Sequence, residues 1–103
     1  MVHVSCMIQE GQSASQKVSE LEAGLSALLS DFFGCSAEFD WMTVAEGSGF
    51  TEAKPSTSSL VSTTVPEDIT QERRIEFLTA VCDMWATTTG CHVNEVVAVA
   101  SSA

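Results

Sequence analysis

Hydrophobic and polar residues alternate along the first positions of the chain. Val2, Val4, Cys6 and Ile8 fall on one side of this alternation, with mostly polar residues between them. Because successive side chains of a strand point to opposite faces, the pattern predicts a strand with one buried face. Gly11 permits the turn that follows this strand.

The pattern then changes to steps of three and four residues, the spacing of one face of a helix. Ser13 and Gln16 have the spacing of a capping box, which predicts that the helix begins at Ser13. Gly34 is expected to end the helix because glycine tolerates the left-handed conformation. A second strand is predicted near Phe39–Ala45. The apolar face of the helix consists of Val18, Leu21, Leu25, Leu28, Leu29 and Phe32.

The same series of elements occurs again in the second half. Leu60–Val65 is rich in β-branched residues and predicts a strand that ends at Pro66. Asp68 and Gln71 again have capping-box spacing, and Gly90 is expected to end the second helix. Glu95–Ala100 predicts the last strand. The apolar face of this helix consists of Phe77, Leu78, Val81, Met84, Trp85 and Thr88.

An internal repeat without gaps relates the two halves. Gly34 followed by Cys35 recurs as Gly90 followed by Cys91, an offset of 56 residues. The same offset pairs Val4 with Leu60, Lys17 with Arg73, Glu20 with Glu76, Leu21 with Phe77, Leu25 with Val81 and Leu29 with Trp85. A repeat of this length predicts two copies of one supersecondary unit. We expect a single domain over residues 1–103, with units 2–47 and 58–101 joined by a loop at 46–59.

The order of elements predicts an α+β fold. Two tandem βαβ units would form a four-stranded sheet with two helices on one face, each unit closed by a right-handed crossover. A ferredoxin-like split βαβ fold has the same order of elements and remains the alternative. Trp41 and Trp85 occupy expected core positions and are predicted to pack there.

The charge of the chain limits its partners. Fourteen acidic residues against four basic ones give a formal net charge of −10. Nucleic acids and anionic membranes are therefore not expected as partners, since phosphate binding needs clustered Lys and Arg. No apolar run approaches the roughly 18 residues of a membrane-spanning helix, and the N-terminus does not resemble a signal peptide. We expect a cytoplasmic protein.

The cysteines do not indicate a metal site. The four cysteines include no CxxC pair, and Cys6 and Cys82 fall at apolar positions where a free thiol packs as a small hydrophobe. Cys91 and His92 are adjacent but lack a second ligand pair at suitable spacing. No glycine-rich phosphate loop is present. We therefore expect no disulfide and no metal, nucleotide or flavin cofactor.

Taken together, these elements resemble the tautomerase superfamily. The resemblance rests on a strand at the N-terminus, Glu10 and Gly11 at its exit, and a helix that ends in glycine, with "EGQSASQK" and "TTGCHVNEVVAV" as the best local matches. The simplest type in that superfamily is 4-oxalocrotonate tautomerase, and longer members fuse two such units. The resemblance implies a catalytic proline at the N-terminus, exposed once Met1 is removed, and an arginine after Glu-Gly that binds a carboxylate.

This sequence departs from the superfamily pattern at both positions. Val2 stands where the proline is expected, and after removal of Met1 it would offer a primary amine with a pKa of about 7.7–8.0. Such an amine could still act as a base near neutral pH, so Val2 is the candidate catalytic residue. Gln12 stands where the arginine is expected, and it can donate a hydrogen bond but cannot neutralise a carboxylate. A small carbonyl or enol compound is expected as substrate, and a dicarboxylate is not.

Four side chains are candidate substrate-binding residues: Gln12, Arg74, His3 and Lys54. Arg74 matches Val18 in the repeat, a core-facing position, and is expected to be at least half buried near a carboxylate. His3 follows Val2 on the opposite face of the strand. Lys54 lies in the linker, where a pocket mouth is expected.

Two functions remain open at this stage. The first is a small-molecule tautomerase or isomerase, or a related lyase or hydrolase, with activity weak or absent because Val2 replaces proline. The second is a non-catalytic oligomeric binding or structural protein on the same scaffold. Either would assemble, because helices on one face leave the other face and both edges of the sheet bare, with Val2, Val4, Cys6 and Ile8 on one strand and Val97 and Val99 on another. The resemblance implies a homotrimer in which a neighbouring subunit completes the pocket at residue 2.

Overall fold

The architecture is described from a computed structural model over residues 2–66, 69–92 and 95–102. Six strands and three helices occur within these residues. In chain order they are β1 (Val2–Gln9), α1 (Ser13–Gln16), α2 (Val18–Phe33), β2 (Ala37–Val44), β3 (Gly49–Thr51), β4 (Lys54–Ser56), β5 (Ser59–Val65), α3 (Gln71–Thr89) and β6 (Val96–Ser102). No helix among the described residues is long and apolar enough to cross a bilayer.

The main sheet has the strand order β2-β1-β5-β6. β1 is parallel to β2 and β5 is parallel to β6, while β1 and β5 meet antiparallel at the centre. The two strands of each βαβ unit are therefore direct neighbours. A split βαβ arrangement would place another strand between them, so the ferredoxin-like alternative is excluded. The predicted α+β fold with a four-stranded sheet is confirmed.

A local two-fold axis passes through the pair Ser5 and Ser62 at the centre of the sheet. It relates residues of β1 and β5 by 57 positions, so the structural counterpart of Val4 is the buried Val61, whereas Leu60 is exposed. In the helices the offset of 56 holds, because Leu21 and Phe77 are both buried. The gapless pairing of Val4 with Leu60 is therefore wrong, since the first strand-to-helix connection is one residue longer than the second. A slip of one residue exchanges the two faces of a strand.

The core lies between the helices and one face of the sheet. Val2, Val4, Cys6 and Ile8 are each at most 5% exposed and belong to this covered face, which corrects their assignment to a bare one. Trp85 and Phe77 are the largest side chains buried against them. Both tryptophans pack here as predicted, with Trp41 stacked on Trp85.

The other side of the sheet, which we call the open face, carries exposed apolar residues. Met42, Met7, Leu60 and Val97 follow one another across the four strands in paired register. Each is at least 36% exposed, and Val99 on the same face is 43% exposed. The expectation for Val97 and Val99 is thus confirmed. The open face is where an uncovered apolar surface lies.

The helix starts differ from the capping-box predictions. Ser13 does not cap a helix, since the residue before α1 is Gln12 and it makes no side-chain cap. The helical conformation is then interrupted at Lys17 (φ −124°, ψ 26°) before α2 begins. Thr70 caps α3, since its hydroxyl accepts a hydrogen bond from the Arg73 N–H at 3.1 Å. Asp68, the predicted cap, lies outside the described residues.

Part of the stretch expected as a loop is ordered as a hairpin. Within residues 46–59, β3 pairs with β4 antiparallel. Extended segments of three residues give little alternation, so the sequence pattern did not reveal them. The hairpin lies next to the end of β1, where it is fixed by Gln9.

Candidate functional site

Val2 lies at one end of the sheet, beside the last turn of α2. Its side chain is only 5% exposed, and its N–H donates to the Ser36 carbonyl at 2.9 Å. The last turn of α2 also contacts Arg73. The Arg73 guanidinium donates to the Phe32 carbonyl at 3.2 Å and lies 4.3 Å from the centre of the Phe32 ring. We call this region, which also includes Arg74, the Val2 end.

Both arginines of the chain are on the first turn of α3. Arg74 is partly buried, in agreement with the burial expected for it, and its Nη1 donates to Gln71 Oε1 at 2.9 Å. Arg73 is a contact that sequence reasoning missed. The repeat pairs it with Lys17, and no contact across the fold was expected from that pairing. The two residues do make equivalent ion pairs, Lys17 with Glu20 at 3.7 Å and Arg73 with Glu76 at 3.1 Å. Only the tertiary structure brings Arg73 onto Phe32, 41 residues away in sequence.

The other candidate residues are not gathered around Val2 within one chain. His3 points to the open face, where its Nε2 lies 3.1 Å from the Asp40 carboxylate. Gln12 follows the opposite end of β1, and Lys54 is exposed on the hairpin near that end. An eight-residue strand spans about 26 Å, so these two cannot contact Val2 of the same chain. Of the four candidates, Arg74 and His3 are at the Val2 end, but His3 faces the opposite side of the sheet.

A cleft lies at the opposite end of the sheet, at the start of β5. The local two-fold axis makes Ser59 the counterpart of Val2. The cleft has a volume of about 260 Å³, and we call it the Ser59 cleft. Its lining includes Gln12, Ser59, Trp85, Thr89, His92 and Glu95. Gln12 is therefore placed in a cleft, although not in the one expected.

Trp85 closes the Ser59 cleft on its inner side. The side chain is fully buried, and its indole N–H has no acceptor among the described residues. Trp41 stacks on it with ring centroids 6.2 Å apart and an interplanar angle of 24°. The indole N–H of Trp41, by contrast, donates to Glu22 at 2.6 Å. Nearly every buried donor in a folded protein is paired, so the unpaired N–H of Trp85 is exceptional.

Solved structures of other proteins have the same fold as this chain. A fused 4-OT that forms a symmetric trimer matches with a TM-score of 0.83 and 16% identity, over 98% of this chain and 85% of that one. Pt0534 inactivated by 2-oxo-3-pentynoate matches with a TM-score of 0.83 and 21% identity over the same shares. N1, of the cis-3-chloroacrylic acid dehalogenase family, matches with a TM-score of 0.85 and 9% identity, over 98% of this chain and 74% of that one. The chain has the fold of the tautomerase superfamily. No family model and no curated protein sequence matches it.

In this tautomerase-superfamily fold, Gln9 serves to hold the hairpin. The side chain is 2% exposed, and its Nε2 donates to the carbonyls of Ser56 and Ser58 at 3.0 and 2.9 Å. Its Oε1 accepts from the Gly47 N–H at 3.0 Å. Because every polar atom of the amide is engaged, Gln9 is a structural anchor rather than a ligand contact. The only sequence signal for it was a polar residue where the alternation of β1 ends.

Two of the four cysteines, Cys6 and Cys82, are poor nucleophiles because their surroundings disfavour the thiolate. All four are free thiols. Burial, and secondarily the charge of Glu22, raise the pKa of Cys6 to about 12, so it stays a thiol at neutral pH. Burial also raises the pKa of Cys82, with smaller effects of Asp83 and Cys91. Within the described part of the chain, no group of three His, Cys, Asp or Glu side chains is placed to hold a metal ion.

Proposed function

We propose that the protein is a tautomerase-superfamily member with weak or absent keto–enol tautomerase activity. The observation that carries this proposal is Val2 at the start of β1 in a chain of that fold. Removal of Met1 would leave the Val2 amine beside the Ser36 carbonyl, which would orient it. A primary amine with an ordinary pKa of about 7.7–8.0 is a weaker match to neutral pH than a base tuned to it.

The substrate that we propose is a small enol or α-keto monocarboxylate. Pt0534 was solved after inactivation by 2-oxo-3-pentynoate, an electrophilic compound of this class. In our chain Arg74, at the Val2 end, is the candidate contact for the single carboxylate. Ketonisation of the enol then needs only a proton taken by the amine from the enol oxygen and delivered to the other carbon of the double bond, the one that does not bear the oxygen.

We also propose that the protein is a homotrimer formed through the open face. Met7, Met42, Leu60 and Val97 leave an apolar row exposed across the sheet, and uncovered surface of this kind favours association. The fused 4-OT neighbour was solved as a symmetric trimer. In such an assembly Lys54, which is exposed on the hairpin, would reach the pocket at Val2 from a neighbouring subunit.

A non-catalytic binding or structural protein is the second candidate. It is favoured by the surroundings of Val2, whose side chain is buried and whose N–H already donates a hydrogen bond to the Ser36 carbonyl. On this reading the scaffold and its assembly are kept, and the N-terminal end has no chemical role.

The variant Val2→Pro distinguishes these functions. We would confirm removal of Met1 by mass spectrometry and follow the ketonisation of phenylenolpyruvate by wild type, Val2→Pro and the matched control Val2→Ala. Wild type and Val2→Ala should be close to background. Val2→Pro should be at least about a hundredfold faster, since positioned general bases contribute that much. It should also form a covalent adduct with 2-oxo-3-pentynoate at residue 2.

Two results would count against the proposal. Wild type as fast as Val2→Pro would show that the amine of Val2 is already an effective base. A Val2→Pro protein that is folded and processed, yet no faster and not labelled, would show that no pocket remains at residue 2. The second result would favour the non-catalytic function.

A further inference from the structure

We propose that the Ser59 cleft is a second binding site, for a small uncharged molecule that carries a carbonyl group. The site is separate from the Val2 end and does not depend on any activity there. Its evidence is the position of the cleft in the fold, the buried indole of Trp85 and the charge of the lining.

The position of the cleft follows from the repeat. The local two-fold axis places the start of β5 and the end of α3 where the other unit has the start of β1 and the end of α2. In the second unit this region is a cleft of about 260 Å³, and the residue at its strand start, Ser59, is smaller than its counterpart Val2. That volume is slightly below the usual range of ligand pockets, so only a molecule with few heavy atoms would fit.

The indole of Trp85 indicates what such a molecule must offer. Its N–H is buried without an acceptor among the described residues, and a donor left in this state is costly to the folded protein. Trp85 lines the cleft, and on our proposal a carbonyl oxygen bound against its indole supplies the missing acceptor. The amide of Gln12 and the hydroxyl of Ser59 would bind a further polar atom of the ligand.

The charges around the cleft select an uncharged ligand. Among the described residues that line it, none is Lys or Arg, while Glu95 contributes a carboxylate. An anion would meet this carboxylate and the overall charge of −10, and among the described lining residues only the His92 imidazole could carry a positive charge to offset them. A cationic group could pair with Glu95 but could not accept from the Trp85 N–H. A neutral carbonyl compound meets both conditions.

The test uses the two indole N–H signals in a proton–nitrogen NMR spectrum. The probes are pyruvamide, which is neutral, and pyruvate, which has nearly the same shape but carries a charge. Pyruvamide at millimolar concentration should shift the Trp85 signal downfield with saturation. The Trp41 signal, whose N–H is already bound to Glu22, should move much less. The two signals are assigned with Trp41→Phe.

A variant of the cleft mouth completes the test. Thr57 lines the cleft and is exposed, so Thr57→Phe should fold normally and weaken pyruvamide binding by about tenfold or more. Thr43→Phe makes the same change on exposed β2 and should leave binding unchanged. The proposal is overturned if pyruvamide leaves the Trp85 signal in place, if pyruvate shifts it equally, or if both variants behave alike. None of these outcomes depends on the tautomerase assay of Val2→Pro, so the two proposals can fail separately.

Discussion

One polar side chain, that of Gln9, attaches the hairpin to the sheet. The amide of Gln9 satisfies two carbonyls and one N–H of a segment that otherwise has few partners within the described residues. Its cost of burial is offset only because all of these bonds form together. The three hydrogen bonds of the Gln9 amide therefore stabilise the hairpin as one unit.

Replacing this amide should destabilise the protein. Gln9→Leu keeps the approximate volume but leaves three backbone groups without their partner, so the free energy of unfolding should fall by about 1–3 kcal/mol. Urea unfolding followed by circular dichroism would measure this at one fixed protein concentration. Gln16→Leu, at an exposed position of α1, is the matched control and should change little. Equal stability of Gln9→Leu and wild type would show that the hairpin is not held by this side chain.

The buried thiol of Cys6 should make stability depend on alkaline pH. Its pKa is about 12 in the folded protein and 9.0 in the unfolded chain, because burial disfavours the thiolate. Above pH 9.0 the unfolded chain loses this proton while the folded one keeps it, so stability falls as pH rises. The slope is at most about 1.4 kcal/mol per pH unit and ends near pH 12.

Cys6→Ala should remove this contribution. Urea unfolding under reducing conditions, at one pH below 9.0 and at two above it, would show a shallower loss of stability for the variant than for wild type. Cys82, whose pKa is also raised, should leave a residual slope in the variant. Parallel pH profiles would mean that the Cys6 thiolate is not disfavoured in the folded protein.

At the scale of elements, the two helix starts look alike in sequence but are built differently. Both carry capping-box spacing, yet among the described residues only Thr70 makes a side-chain cap, and α1 is a single turn that ends at Lys17 before α2 begins. A side-chain cap satisfies one of the N–H groups that the first turn of a helix leaves unpaired.

Two substitutions that each remove a hydroxyl test this difference. Thr70→Ala should lower the free energy of unfolding by about 1 kcal/mol. Ser13→Ala should change it by less than about 0.5 kcal/mol, as is usual for surface positions without such a contact. Chemical denaturation of both variants beside wild type would measure the two effects. An equal loss for both would mean that Ser13 caps a helix after all.

For the whole molecule, the distribution of exposed apolar residues is the main feature. The open face carries a row of them across the sheet, and Ile75 on α3 is 54% exposed but lies away from that row. Burying the row would remove apolar surface from water and cover the strands on that side. The acidic chain must overcome its own charge repulsion to do so.

Leu60→Glu should dissociate the proposed homotrimer. A charge at the centre of the open face would be buried without a partner on assembly, which is strongly unfavourable. Sedimentation equilibrium at micromolar concentration should give a trimer for wild type and a monomer for Leu60→Glu. Ile75→Glu adds the same charge elsewhere and should remain trimeric. A monomeric wild type, or a trimeric Leu60→Glu, would exclude the open face as the interface.

The sequence by itself determined the four strands of the main sheet, the two long helices, their order and most of the core. The alternation in β1, the helical stripes around Leu21 and Phe77, and the glycines at 34 and 90 are local signals. Both glycines indeed adopt positive φ, 63° and 78°. Such signals are readable because strand and helix impose different periods on the residues that they bury.

Only the tertiary structure decided the register, the hairpin and the composition of each end of the sheet. Whether Leu60 or Val61 faces the core depends on a difference of one residue between the two strand-to-helix connections. The hydrophobic periodicity of the sequence does not reveal this difference. Residues from distant parts of the chain meet in three places: Arg73 contacts Phe32, Gln9 binds the hairpin, and Gln12 lines the same cleft as Trp85. Contacts of this kind depend on how the two βαβ units meet across β1 and β5, because that pairing alone fixes which strand ends and helix turns become neighbours.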